Sequence, residues 1–98
     1  MSATAQYQAA AGQIAGATES QMFGKPCFKI DGKAFTCFFA ECMVFKLGGD
    51  SHSRALALEG AMLFDPSGKG RPMKAWVQVP AAHAALWPAL AREAAAAL

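Results

Sequence analysis

Apolar residues recur every three or four positions near both ends of the chain, whereas the middle carries short runs rich in strand-forming residues, and positions 73–79 alternate at every second residue. A period of two is typical of strands, and a period of three to four is typical of helices. The pattern predicts helices over 4–18, 52–58 and 81–98, the last with a break or restart at Pro88, and strands over 22–30, 33–39, 42–47, 61–64 and 73–79.

Turn signals fall between these segments. Asp31-Gly32 is a strong tight-turn pair between two β-rich runs, and Ala40-Glu41 makes a second short turn. Helices and strands do not alternate, which argues against a doubly wound parallel sheet. The predicted fold is therefore α+β: a two-layer α/β sandwich with a mostly antiparallel, five-stranded sheet in the order α-β-β-β-α-β-β-α. The 98 residues fit one domain, 1–98.

Both faces of the predicted sheet carry apolar residues. In the second strand, Phe35, Cys37 and Phe39 point to one face, and Thr36 and Phe38 point to the other. If all helices pack on one face, the large side chains of the other face need a second covering, and a symmetric homodimer supplies it. We place Phe38 on that second face. The alternative is that the helices divide between the two faces and a monomer suffices.

Composition narrows the class of protein only slightly. The charged fraction is 16% and the net charge is +2, too weak to indicate a nucleic-acid or membrane partner on its own. The longest apolar run, 34–45, is too short for a transmembrane helix. No Lys or Arg precedes Lys25, so the start of the chain does not resemble a signal peptide, and we expect a cytoplasmic protein with no membrane partner.

Two groups contain the residue types found in metal sites or catalytic triads. The three cysteines, Cys27, Cys37 and Cys42, could join His52 or His83 in a zinc site, but they form no C-x-x-C pair. We expect three free, buried thiols and no metal or cofactor.

The run Asp50-Ser51-His52-Ser53 contains the letters of a hydrolase triad. Adjacent residues cannot form the line of nucleophile, base and orienting acid that a triad needs. We expect a helix cap at Asp50 or Ser51 and no catalytic residue.

The loop 68–74 is the candidate contact to an anion or nucleic acid. Lys69, Arg71 and Lys74 supply positive charge, and flanking glycines let backbone amides approach an anion. The alternative is a solvated hairpin loop, since the P-loop pattern is absent. Trp76 adds a ring that could stack on a base or pack beneath the last helix. On that helix, His83 and Trp87 are predicted to share a face.

The order of several short motifs resembles the N-terminal domain of the TfoX (Sxy) competence regulators. Met22-Phe23-Gly24 resembles the family's opening motif, and 43–47 resembles its third strand. The family's order of motifs is completed by Asp31-Gly32-Lys33 between these two segments, and by the Gly-Lys-Gly at 68–70 and the stretch from Trp76 to Pro80 after them. The resemblance covers about 14–90 and implies a two-layer fold with one antiparallel sheet and a link to competence regulation.

We therefore expect a stand-alone TfoX N-terminal-like domain that acts as a non-enzymatic protein-interaction or regulatory module. One alternative is a nucleic-acid-associated transcription or competence regulator, with weak, non-specific binding. Another is a small enzyme with an unrecognised site.

Overall fold

The computed structural model describes residues 2–98, which form three α-helices, six strands and one 3₁₀ segment. The helices are α1 (Ala3–Gly12), α2 (Gly49–Leu56) and α3 (Trp87–Ala96), and the 3₁₀ segment is Ala81–Leu86. The strands are β1 (Thr18–Met22), β2 (Lys25–Ile30), β3 (Lys33–Phe39), β4 (Cys42–Lys46), β5 (Met62–Phe64) and β6 (Met73–Pro80). Within residues 2–98, no helix combines the length and the apolar character needed to cross a membrane.

The strands form one antiparallel sheet in the order β1-β2-β3-β4-β6-β5. The α+β class and the antiparallel sheet are confirmed, but the predicted count of five strands is wrong. The predicted strand 22–30 is interrupted by a two-residue turn at Phe23-Gly24, where both residues have positive φ (55° and 74°). Such a turn closes a hairpin, and the polar segment before it becomes the edge strand β1.

The two terminal helices differ in extent from the prediction. Helix α1 ends at Gly12, so the predicted helix over 4–18 is six residues too long, and Gly16 follows with φ +82°. At the other end, residues 81–86 are 3₁₀, and α3 begins at Trp87 with Pro88 in its first turn. Proline suits this position because the first-turn N–H groups of a helix have no intrahelical partner. The predicted restart at Pro88 is confirmed.

The helices pack on one face of the sheet and form the helix-side core. Buried residues of all three helices belong to it, including Tyr7, Ala55 and Trp87. Its strand residues include Phe28, Phe35, Met43, Phe45, Val77 and Val79. This arrangement gives the two layers that the sequence predicts.

The opposite face carries a second cluster, the sheet-side core, built from strand residues alone: Cys27, Cys37, Val44, Phe64 and Trp76. All five side chains are buried within the single chain. They are buried without a helix because the sheet curls over them, which brings the Phe39 ring to 5.5 Å from the Phe64 ring.

Two predicted positions on the sheet faces are wrong. Strand β3 carries one extra residue, Phe35, opposite the step from Phe28 to Lys29, and this β-bulge places Phe35 in the helix-side core, away from Cys37. Phe38 is half-buried on the helix side, with its ring 5.1 Å from the Tyr7 ring. Phe38 is therefore not on an exposed second face.

Candidate functional site

A cleft of about 270 Å³ opens between α2 and α3. Its apolar lining comes from both helices, the 3₁₀ segment and the turn after α2: Ala55, Leu58, Leu86, Ala89 and Leu90. Leu86 stands at the rim and is 44% exposed. Helix α2 is only eight residues long, and two of the lining side chains, Ala55 and Ala89, are small.

A charged group closes one end of this cleft. Arg54 Nη2 lies 2.8 Å from Glu93 Oε1, and the Ser51 hydroxyl donates a 2.5 Å hydrogen bond to the same oxygen. Arg54 Nη2 also lies 3.3 Å from Ser51 Oγ. Ser51 and Arg54 therefore share one carboxylate oxygen of Glu93.

The protonation state of Glu93 follows from these contacts. The Ser51 hydrogen bond is the largest influence on Glu93 and lowers its pKa, and Arg54 lowers it further. Glu93 is thus a carboxylate at neutral pH. A carboxylate whose pKa is depressed and whose charge is paired is a poor general base for the Ser51 hydroxyl.

The run Asp50 to Ser53 forms neither a triad nor the expected cap. Helix α2 begins at Gly49, its N-cap is Gly48 without a side-chain bond, and Asp50 and Ser51 lie inside the first turn. The prediction of a cap was wrong because the double glycine allows the chain to enter the helix earlier. His52 Nε2 lies 2.7 Å from the Lys74 carbonyl oxygen, so this nitrogen carries the proton and donates a hydrogen bond to β6.

The loop predicted to bind an anion already holds one of the chain's own carboxylates. Asp65 accepts hydrogen bonds from the backbone N–H groups of Ser67, Gly68, Gly70 and Arg71, at 2.9–3.2 Å. The Ser67 hydroxyl donates another, at 2.8 Å. The Ser67 bond is the largest influence that lowers the pKa of Asp65, and the backbone N–H groups add to it. The amides that glycine was expected to offer to a ligand are therefore occupied.

The cations of this loop remain available, but the ring beside them does not. Lys69, Arg71 and Lys74 are all exposed. Trp76 is only 7% exposed and packs in the sheet-side core, on the face opposite the last helix. It cannot offer a stacking surface to a base without local rearrangement.

The remaining candidate residues are separated by the fold. Trp87 is fully buried in the helix-side core, whereas His83 Nε2 binds the Glu59 carbonyl oxygen at 2.8 Å. His83 has non-helical backbone angles, so the predicted shared helix face with Trp87 is wrong. Among residues 2–98, no three His, Cys, Asp or Glu side chains gather as a metal site would require.

Sequence reasoning missed the cleft because its two walls are far apart in the chain. Ser51 and Glu93 are 42 positions apart, and nothing local links them. One signal was present: Leu86, Leu90 and Glu93 recur at helical spacing, which places a charged residue on an apolar stripe.

No family model matches this chain, and comparisons with curated proteins and with solved structures found no match either. The resemblance to the TfoX N-terminal domain accordingly stays a proposal.

Proposed function

We propose that this chain is a non-enzymatic protein-interaction or regulatory module, and that its cleft between α2 and α3 receives one large apolar side chain from a partner protein. The supporting observation is the cleft itself: an apolar floor, an exposed leucine at the rim and a fixed ion pair at one end. Buried apolar anchors seated in such pockets dominate the energetics of many interfaces.

The size of the cleft favours an anchor side chain over a cofactor. Pockets that hold drug-sized ligands and cofactors usually enclose about 300–1,000 Å³ and carry several convergent polar groups. This cleft, at about 270 Å³, falls below that range, and its polar groups are Arg54 and Glu93, which pair with each other. A single leucine-, methionine- or phenylalanine-sized group suits it better.

The charge at the rim suggests what accompanies the anchor. Arg54 is 64% exposed on its side chain, and Nη2 is the nitrogen through which it binds Ser51 and Glu93. A guanidinium has five N–H donors, so Arg54 keeps donors directed to solvent. We expect the partner segment to carry an acidic residue next to its apolar anchor.

Two variants of the same kind test this proposal. Ala89→Phe fills the cleft, whereas Ala96→Phe makes the same change at an exposed position of the same helix, outside the cleft. The tagged chain is used to purify binding partners from its own cells, scoring both proteins and nucleic acid, and affinities are then measured with the purified partner.

The proposal requires that Ala89→Phe weakens binding at least tenfold and that Ala96→Phe does not. Equal binding by both variants would contradict it. Recovery of nucleic acid without protein would favour the alternative below.

The alternative is a nucleic-acid-associated regulator, which the exposed Lys69, Arg71 and Lys74 favour. Membership of the TfoX N-terminal-like family fits either function. A cytoplasmic location and the absence of enzymatic activity stay predictions of the same kind.

Self-association as a homodimer also stays a prediction. It was inferred from an apolar second sheet face, and the sheet-side core on that face is already buried within one chain, so this face no longer supports the dimer. Light scattering coupled to size exclusion measures the mass directly. The mass of one chain at micromolar concentration would contradict the dimer.

A further inference from the structure

Cys27 and Cys37 are directly opposite each other in the β2–β3 pair. Both belong to the sheet-side core, so both side chains are on the same face of the sheet. They are 1% and 0% exposed, and both are free thiols. Facing residues on one sheet face are the closest side-chain neighbours that two antiparallel strands offer.

The hairpin turns at 23–24 and 40–41 determine whether Cys27 and Cys37 form a hydrogen-bonded pair, and therefore how close their side chains are. Hydrogen-bonded and non-hydrogen-bonded pairs alternate along an antiparallel ladder, beginning with a bonded pair at a two-residue turn. Counting from the turn at Ala40-Glu41, Phe39↔Cys42 is bonded and so is Cys37↔Val44. The backbone N–H and C=O of Cys37 are therefore directed towards β4.

The same count from the other turn agrees. From Phe23-Gly24, Met22↔Lys25 is bonded and so is Ser20↔Cys27, which directs the backbone groups of Cys27 towards β1. Neither cysteine directs its backbone groups towards the other, so Cys27↔Cys37 is a non-hydrogen-bonded pair. In such pairs the Cα atoms are about 4.5 Å apart and the side chains are at their closest.

That separation is within the range a disulfide spans, at its short end of about 4.4 Å. An added thiol reduces a disulfide by thiol–disulfide exchange, so a bond formed there is reversible. We propose that Cys27 and Cys37 are a modification site, at which a hydroperoxide converts the two thiols into a reversible cross-strand disulfide.

The chemistry balances with one hydroperoxide. The thiolate of one cysteine attacks the peroxide oxygen, the O–O bond breaks, and a sulfenic acid forms with release of water or an alcohol. The facing thiol then attacks that sulfur, the S–O bond breaks, and water leaves as the S–S bond forms. The two sulfurs lose two electrons in total, and the peroxide gains them.

Cys42 supplies an internal comparison. It is half-buried and therefore more accessible than the pair, but it faces Phe39 on β3 and Pro80 on β6. The residues opposite Cys42 on its two neighbouring strands are therefore not cysteines. Burial raises the pKa of Cys27, and raises that of Cys37 to about 12, so the pair reacts slowly and faster at higher pH.

The test treats the reduced chain with hydrogen peroxide and follows free thiols and intact mass. We expect Cys27 and Cys37 to lose their thiols together with a mass loss of two hydrogen atoms, and peptide mapping to join Cys27 to Cys37, whether or not Cys42 is also oxidised. Dithiothreitol should restore three thiols. Cys42→Ala should still lose two hydrogens, whereas Cys37→Ala should not.

Circular dichroism checks that each variant folds, and Cys27→Ala replaces Cys37→Ala if the latter does not. The proposal is overturned if the folded chain only gains oxygen atoms or if the mapped bond includes Cys42. A small dithiol in the same solution shows when peroxide oxidation is complete, and three remaining thiols in the chain at that time would also overturn the proposal. None of these outcomes bears on the cleft between α2 and α3, so the two proposals fail independently.

Discussion

The rings of Phe39 in β3 and Phe64 in β5 meet edge to face, 5.5 Å apart, although β4 and β6 separate their strands in the sheet. Neighbouring strands are about 4.8 Å apart, so a flat sheet would hold these rings roughly 14 Å from each other. The contact therefore records how strongly the sheet curls. That curl is what buries the sheet-side core without a helix.

Removing this contact should destabilise the fold. Phe64 is fully buried, and a Phe64→Ala change leaves a cavity in the curled face, with an expected loss of about 3–5 kcal/mol in the free energy of unfolding. Phe23→Ala is the matched control, because Phe23 is 60% exposed at a turn and its loss should cost less than about 0.5 kcal/mol. Chemical denaturation measures both. Similar effects for the two variants would contradict the closed sheet-side core.

A second prediction concerns a buried hydroxyl. Tyr7 is 2% exposed, its ring packs on Phe28 and Phe38, and its hydroxyl has no hydrogen-bond partner. An unpaired buried donor costs about 1–3 kcal/mol. Tyr7→Phe should therefore raise the free energy of unfolding by about 1 kcal/mol, whereas Tyr7→Ala should lower it by several. A destabilised Tyr7→Phe protein would mean that the hydroxyl is bonded in solution.

The charged group of the cleft predicts a pH dependence. Because the pKa of Glu93 is lowered in the folded chain, its contribution to stability is present above the ordinary glutamate pKa of about 4.3 and is lost as the pH falls through the folded value. Glu93→Gln should lower the melting temperature at pH 7, and the difference should vanish in strong acid. Glu19→Gln, at an exposed strand position, serves as the control. A difference that persists at pH 2 would exclude the ionised carboxylate as its source.

Nucleic-acid binding should be weak, independent of sequence and only mildly sensitive to salt. Each neutralised phosphate contributes about 0.9 to the slope of log affinity against log salt, so three cations give a slope of at most about 3. Replacing Lys69, Arg71 and Lys74 together with alanine should abolish the binding, and Arg92→Ala should leave it unchanged. Nanomolar affinity for one DNA sequence in physiological salt, measured by fluorescence anisotropy, would refute this prediction.

The parts of the fold that were predicted are those with a local cause. Asp31-Gly32 marks its turn because glycine accepts positive φ at little cost, and β3 and β4 were predicted as apolar runs between turn signals, which suits strands buried on both faces. The turn at Phe23-Gly24 was missed because a phenylalanine within an apolar run reads as strand. The six-stranded count depends on that one turn.

The site could not be predicted because its causes are not local. Alternation placed Trp76 on the polar side of β6, beside Lys74 and Gln78, yet the curl of the sheet buries it. Asp65 occupies the amides of its own loop, which glycine spacing alone cannot reveal. The pairing of Ser51 with Glu93 depends on how two helices pack, and that is set by the whole core.

The turn at Ala40-Glu41 leads to the last prediction. Both residues have positive φ, 53° and 63°, and they close the β3–β4 hairpin at Phe39↔Cys42. Two-residue hairpin turns need this backbone, and Asn-Gly adopts it with least strain, whereas residues such as Ala and Glu lose about 1–2 kcal/mol there. Replacing Ala40-Glu41 with Asn-Gly should therefore raise the free energy of unfolding by about 1 kcal/mol, after allowance for the greater freedom of glycine in the unfolded chain.

The chain carries its own reference, since Asp31-Gly32 closes the preceding hairpin with φ of 50° and 77° and a favoured sequence. Replacing Asp31-Gly32 with Ala-Glu should have the opposite effect, and denaturant unfolding of the two double variants beside the unaltered chain measures both changes. If Asn-Gly at 40–41 failed to stabilise while Ala-Glu at 31–32 destabilised, the strain assigned to the Ala40-Glu41 turn would be relieved by other contacts in the folded chain.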